Sequence, residues 1–346
     1  MFDALSTRKI QKSRTLAASA AALGAALTFS GAPLAAEELK LAHFMSPRHV
    51  MHSDMMAPWT EEIARATGNR LTVKIFPGSQ LGGKPPTQDK LAADGIADIA
   101  FGLQGYTSSV FPRTTLTELP DFGANGVEAT ERIWGIFSKY LSEEYKDVKV
   151  LALWSNDEPV IMTKGRPVRR LEDLKGMKVR TPSSMQSKVL QALGAVPIDM
   201  PVTEMYNALD RGVVDALWVP PSTILDFKLM EVAKFYTVDV PQSRSPFFLV
   251  MNRKKYDALA PDLKKALDDS TGKALSLKAT AAYDRRGEEA LKAVRGVAGT
   301  EIIKLAPAEQ QRWRAALTPM IEAAVAEADK GGVNAREMLK AAGYLK

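Results

Sequence analysis

Arg180 is the residue of this chain best placed to do chemistry. Met177-Lys-Val-Arg180 reads as a short strand that Thr181-Pro182 stops, and Ser183 or Ser184 caps a helix that runs to about residue 193 and ends at Gly194. A helix N-terminus carries free N–H groups and the positive end of a dipole, and a guanidinium beside it adds a planar fork matched to a carboxylate. The spacing describes a trap for an organic anion, so binding comes ahead of catalysis.

Other candidates carry less. His43, His49 and His52 are the three histidines of the chain and fall within ten residues. That spacing raises a metal site, because His49 and His52 would share a helix face. His43 lies on the preceding strand and need not converge with them, so no metal is expected and contact of His43 or His49 with a polar ligand is preferred. Gln104 and Tyr106 are candidate polar contacts at a strand end, and Asp157 or Glu158 could read an ammonium group. Asp98 and Asp215 are expected to fix turns after helices rather than to touch ligand. Gly-x-Ser-x-Gly, His-Glu-x-x-His and Gly-x-x-x-x-Gly-Lys-Ser do not occur, which removes the sequence grounds for a serine hydrolase, a zincin or a phosphate-cradling loop. No cysteine is present, so thiolate chemistry, zinc–cysteine sites and a lipid-modified cysteine are excluded.

The elements that must position Arg180 begin after an export segment over residues 1–36. Arg8, Lys9, Lys12 and Arg14 make a basic start, residues 15–30 an alanine-rich apolar stretch, and Leu34-Ala35-Ala36 a small-residue cleavage site. The stretch is short for a membrane span, and the second arginine of a twin-arginine signal is missing, which favours the general secretory route and a periplasmic protein. The segment holds four Lys/Arg and Asp3, leaving +3 of the formal +6 to the mature chain. Those charges are interspersed, so no nucleic-acid partner is expected.

The 346 residues, 46% hydrophobic and 25% charged, suffice for two domains. Strand over 39–43, helix over 50–66 and strand over 71–76 give α/β punctuation. Two later segments resemble each other: Leu91-Ala-Ala-Asp-Gly95-Ile-Ala-Asp98-Ile-Ala-Phe and Ala208-Leu-Asp-Arg-Gly212-Val-Val-Asp215-Ala-Leu-Trp. A plan used twice predicts two similar lobes facing one cleft. Leu103 and Gln104 then lie at the cleft edge of the first lobe and Trp218, Val219 and Pro220 at that of the second, at the strand ends where α/β sheets bind ligands. A strand over 247–252 returns to the first lobe, and long helices from Pro261 and over 307–329 buttress the lobes.

The ordered series Leu41-Ala-His-Phe, Val73-Lys-Ile-Phe-Pro77-Gly78, Gln80-Leu81-Gly82, Phe111-Pro112, Glu118-Leu119-Pro120, Asp173-Leu-Lys-Gly176-Met-Lys-Val-Arg180, Gly194-Ala195-Val-Pro197, Glu204-Met-Tyr206-Asn-Ala-Leu and Val250-Met-Asn252 resembles the solute-binding proteins of tripartite ATP-independent periplasmic (TRAP) transporters. The resemblance implies an α/β clamshell of two lobes with crossing strands near Asp157 and Ser245 and long C-terminal helices. Lobe I would be residues 37–157 and 246–285, and lobe II residues 158–245 and 286–346. It also implies that Arg180 pairs with a ligand carboxylate and that the ligand passes to integral-membrane permease subunits driven by an ion gradient; a monomer without a cofactor is expected. A membrane sensor as partner, or a periplasmic enzyme, are the alternatives.

The chain also departs from the sialic-acid-binding type of that family. Phe44, Leu103, Val160 and Val219 stand where that type has polar or charged side chains, and Trp218 where it has Glu. Each buried sugar hydroxyl left unpaired would cost about 1 to 3 kcal/mol, whereas an apolar body gains roughly 25 cal/mol for each Å² removed from water. The expected ligand is a monocarboxylate with a hydrophobic tail, such as an aromatic acid, an aryl 2-oxo acid or a branched 2-oxo acid.

Overall fold

The computed structural model describes residues 36–346; residues 1–35, nearly all of the expected export segment, lie outside the described residues. Among the described residues, eleven strands form two sheets. The first has the order β2 (Leu71–Phe76), β1 (Glu37–Ala42), β3 (Ile99–Leu103), β10 (Pro246–Asn252), β4 (Val148–Ser155). The second runs β11 (Glu301–Lys304), β9 (Phe235–Val238), β5 (Val160–Thr163), β8 (Ala216–Val219), β6 (Lys178–Thr181), β7 (Val196–Asp199).

The repeat read in the sequence is a repeat of topology. In the first sheet β1 lies between parallel partners β2 and β3, and β10 runs antiparallel on the far side of β3. In the second, β6 lies between parallel partners β7 and β8, and β5 runs antiparallel beside β8. Gly95 and Gly212 occupy the same left-handed conformation, φ +72° and +71°, which an L side chain enters at a cost. Asp98 and Asp215, expected to fix turns after helices, bond a neighbouring strand: Oδ2 of Asp98 accepts the Lys40 N–H at 2.8 Å, and Oδ2 of Asp215 accepts the Lys178 N–H at 2.8 Å. Each carboxylate clips the neighbouring parallel strand.

Two short passages join the sheets, from β4 to β5 over residues 156–159 and from β9 to β10 over 239–245, where crossing strands were expected; a third, from β10 to β11, is the long helical segment 253–300. The two short passages are bonded to one another, with Asn156 N donating to Ser245 O at 3.2 Å and Ser245 N donating to Asn156 Oδ1 at 2.9 Å. Central strands such as β3 are buried on every residue, as expected for a sheet covered on both faces.

Three features differ from the sequence reading. The helix expected over 50–66 begins as a π-helical stretch, Met51–Met56, before the α-helix Ala57–Ala66. The helix from Pro261 is broken at Gly272 (φ +74°), whose N–H goes to Leu151 O at 2.6 Å, and resumes as Lys273–Arg295. The C-terminal segment, expected wholly on the second lobe, returns to the first. Trp313 and Leu317 of the helix Pro307–Lys330 pack with Val179, Leu190 and Trp218, while its later residues Ala324 and Val325, with Met338 and Leu339, join the core under the first sheet. Among the described residues no helix is long and apolar enough to cross a membrane.

Candidate ligand-binding site

Arg180 sits on β6 opposite Ile198 of β7 and Leu217 of β8, and only 2% of it is exposed. Its Nε donates to the Met200 carbonyl at 3.0 Å, which aims the rest of the fork. Burial lowers its pKa from the ordinary arginine value, opposed by nearby Tyr106, Asp199 and Glu204. Tyr106 lies near enough to interact with the guanidinium directly, but among the described residues no carboxylate pairs with it. A buried guanidinium without a counter-charge is costly, and an anionic ligand relieves that cost.

The next element completes the trap. Ser183, in extended conformation, caps the helix Ser184–Ala192 by accepting the Gln186 N–H at 3.1 Å. The Gln186 side chain donates to Ser243 O at 3.2 Å and Ser245 Oγ at 3.0 Å, which ties the helix start to the second crossing passage. Arg180, Pro182 and Gln186 thus form one wall of a cavity lined from both sheets.

The other walls are apolar and come from both sheets. Phe44, Phe101, Leu103 and Phe247 line it from the first sheet, and Trp218, Val219, Pro220 and Phe227 from the second. The rings brace each other: Phe44 and Phe101 centroids are 5.6 Å apart, Phe101 and Phe247 5.6 Å, and Trp154 stacks behind Phe247 at 5.8 Å. Such contacts hold a wall shape in place before any ligand arrives. Tyr106 bridges the cleft, its hydroxyl accepting the Val202 N–H at 2.8 Å.

Of the residues singled out in the sequence, Arg180, Trp218, Phe44, Leu103, Val219, Pro220 and His49 line this cavity, as does Tyr106. The others do not. His43 follows Leu39 and Leu41 onto the inner face of β1, where its Nε2 bonds His52 Nδ1 at 2.9 Å and its Nδ1 accepts the Met45 N–H at 3.2 Å; the chain then turns Phe44 into the cavity. Gln104 is spent inside the first lobe, donating to the Tyr145 hydroxyl at 2.9 Å. Val160 pairs with Val219 across β5 and β8 but belongs to a separate groove, with Glu158. Glu158 holds Arg244 at 3.3 Å there, and the buried Asp157 accepts the Ser222 N–H at 2.9 Å and hydroxyl at 2.8 Å. Neither acid can read an ammonium in the cavity. His49 separates from the His43–His52 pair, and among the described residues no group of three His, Asp or Glu could hold a metal ion.

Sequence reasoning missed Asn156, Gln186, Ser245, Phe227, Phe247 and Tyr283. Gln186 was findable as the third residue of the capped helix, and Asn156 and Ser245 as neighbours of the two crossings. Tyr283 sits in an alanine- and lysine-rich helix with no local signal.

Two lobes joined by crossing strands, with a buried cation facing an apolar cavity between them, define a clamshell binding protein for organic anions. The chain belongs to the bacterial extracellular solute-binding protein family 7, whose model matches residues 41–328, the solute-binding proteins of TRAP transporters. Among solved structures it is similar to a marine metagenome TRAP solute-binding protein specific for aromatic acids, crystallised with 3-hydroxybenzoate: 31% identical, TM-score 0.85, covering 89% of this chain and 97% of that one. A Rhodoferax ferrireducens TRAP solute-binding protein with copurified benzoate is 30% identical, with TM-score 0.82 and coverage of 88% and 96%. The 2,3-diketo-L-gulonate-binding periplasmic protein YiaO of Escherichia coli is 29% identical over 282 residues, 80% of this chain and 83% of that protein.

Proposed function

We propose that this TRAP solute-binding protein captures an aromatic monocarboxylate in the periplasm and delivers it to its permease, with Arg180 holding the carboxylate and the Phe44, Leu103, Trp218 and Val219 walls enclosing the ring. The observation that carries this is the buried guanidinium of Arg180, with no carboxylate partner among the described residues, in a cavity whose walls are largely aromatic and aliphatic. A ring that loses on the order of 150 Å² of exposure there contributes about 4 kcal/mol, and the same walls would leave sugar hydroxyls unpaired. The ligands of the aromatic-acid and benzoate relatives support the same class. The lobe division is proposed as 37–157 with 246–285, and 158–245 with the remainder, its last turns crossing back. The protein acts as a monomer after removal of residues 1–36.

A thermal-shift screen against benzoate, phenylacetate, branched 2-oxo acids, C4-dicarboxylates and sugar acids tests the ligand class. Aromatic acids are expected to raise the unfolding midpoint by several degrees. Stabilisation by dicarboxylates or sugar acids alone would overturn it.

A further inference from the structure

Among the polar groups that line the cavity, two stand side by side, each with an atom lacking a hydrogen-bond partner among the described residues; Trp218 Nε1, also in the lining, is a further buried donor without one. Tyr283, on the helix Lys273–Arg295, is 3% exposed and lines the cavity, and among the described residues its hydroxyl has no hydrogen-bond partner. His49, 5% exposed, lines the same cavity. Its Nδ1 accepts the Met51 N–H at 3.1 Å, which assigns the ring proton to Nε2. That Nε2 lies 3.7 Å from Asp226 Oδ2, beyond hydrogen-bond reach. Both Asp226 oxygens are already engaged, by the Val50 N–H at 3.2 Å and by Arg286 at 2.8 Å.

The two rings stand together, with centroids 6.2 Å apart and edge to face. They line the same cavity as Arg180, and neither is hydrogen-bonded to it. Phe227 at 5.6 Å from His49 and Phe247 at 5.4 Å from Tyr283 give the pair its apolar contacts.

We propose that His49 and Tyr283 form a second polar subsite that receives a hydroxyl on the ligand ring, so that the protein selects hydroxylated aromatic acids over their unsubstituted parents. The inference rests on the aromatic-acid reading and names its substrate class. Chemically the pair is complementary to a phenol: the His49 Nε2–H donates to the phenolic oxygen, and the Tyr283 oxygen accepts the phenolic proton. An unsubstituted ring would leave both protein groups dry and unpaired, which is where discrimination comes from. Burial holds His49 neutral, its pKa lowered to about 3, and raises that of Tyr283, so both keep these roles across the neutral range.

The test is calorimetric titration of the purified protein with benzoate, 3-hydroxybenzoate and 4-hydroxybenzoate, and with phenylacetate and its 3- and 4-hydroxy derivatives. At least one hydroxylated acid is expected to bind about tenfold more tightly than its parent. Tyr283→Phe, which removes one oxygen and keeps the ring, should bring that ratio to within about twofold, the ratio being read within the variant so that any change in affinity for the parent acid cancels. Parent acids that bind, with no hydroxylated acid gaining, would overturn the subsite and leave the aromatic-acid reading standing. A gain that survives Tyr283→Phe would also overturn it. Failure of every aromatic acid to bind would overturn both.

Discussion

At the residue scale, small side chains matter where large ones must approach. Gly287 lies in the middle of the helix Lys273–Arg295, where glycine ordinarily costs about 1 kcal/mol relative to alanine. A Cβ there would meet Asp157 Oδ2 at 2.5 Å, and Asp157 cannot move away cheaply because both its oxygens hold Ser222. Gly287→Ala is therefore expected to destabilise the protein by about 1 kcal/mol or more, against helix propensity, as a lowered midpoint in thermal or urea unfolding. A raised midpoint would mean that Asp157 is free to swing out. The same residue marks a limit of sequence reading: Asp157 was visible as a hinge neighbour, but its partner Ser222 is 65 positions away and nothing local pairs them. Arg180 was legible because its motif, its strand and its helix cap are consecutive. Tyr283 was not, because one tyrosine in an amphipathic helix reads as core.

At the scale of elements, the start of the helix Ser184–Ala192 is held to the first lobe by Glu118. This carboxyl is buried, takes the Ser183 hydroxyl on Oε2, and has no partner on Oε1 among the described residues. Gly105 leaves it room, since a Cβ there would come within 2.8 Å of Oε1. Burial raises its pKa to about 8, and Asp157 is likewise raised to about 8. A carboxyl with a raised folded-state pKa gives stability that is whole below its unfolded value near 4 and is lost as pH climbs through 8. His43 and His49, both lowered to about 3, have the opposite sign: their stability is whole above about 6.5 and lost as pH falls toward 3. Between pH 6.5 and 9 only the carboxyls act, so unfolding free energy should fall across that window. Glu118→Gln, which stays neutral, should flatten the fall; a slope equal to that of the parent protein would show that Glu118 is ionised when folded. The strands around this helix were readable from the repeat of Gly-x-x-Asp, because each Asp clips a parallel neighbour. The π-helical turn at Met51–Met56 and the return of the last helix to the first lobe were not, since both answer to packing between segments far apart in sequence.

At the scale of the whole molecule, the cleft is closed and its walls come from both lobes. Phe44 and Leu103 are 7% and 5% exposed on one side, and Arg180 and Trp218 2% and 1% on the other. Tyr106 to Val202 and Asp226 to Val50 bond across. A ligand favours this closed state only through contacts that the open state lacks, and a carboxylate on Arg180 with its ring against Phe44 and Leu103 makes them from both lobes at once. Calorimetric titration of benzoate into the parent protein and into Arg180→Ala measures this directly. Charge-assisted hydrogen bonds to a buried guanidinium are worth about 3 kcal/mol, so the substitution is expected to weaken binding by about 100-fold while the folded circular dichroism spectrum is kept. Binding by Arg180→Ala within threefold of the parent would contradict the carboxylate trap and place the anion elsewhere.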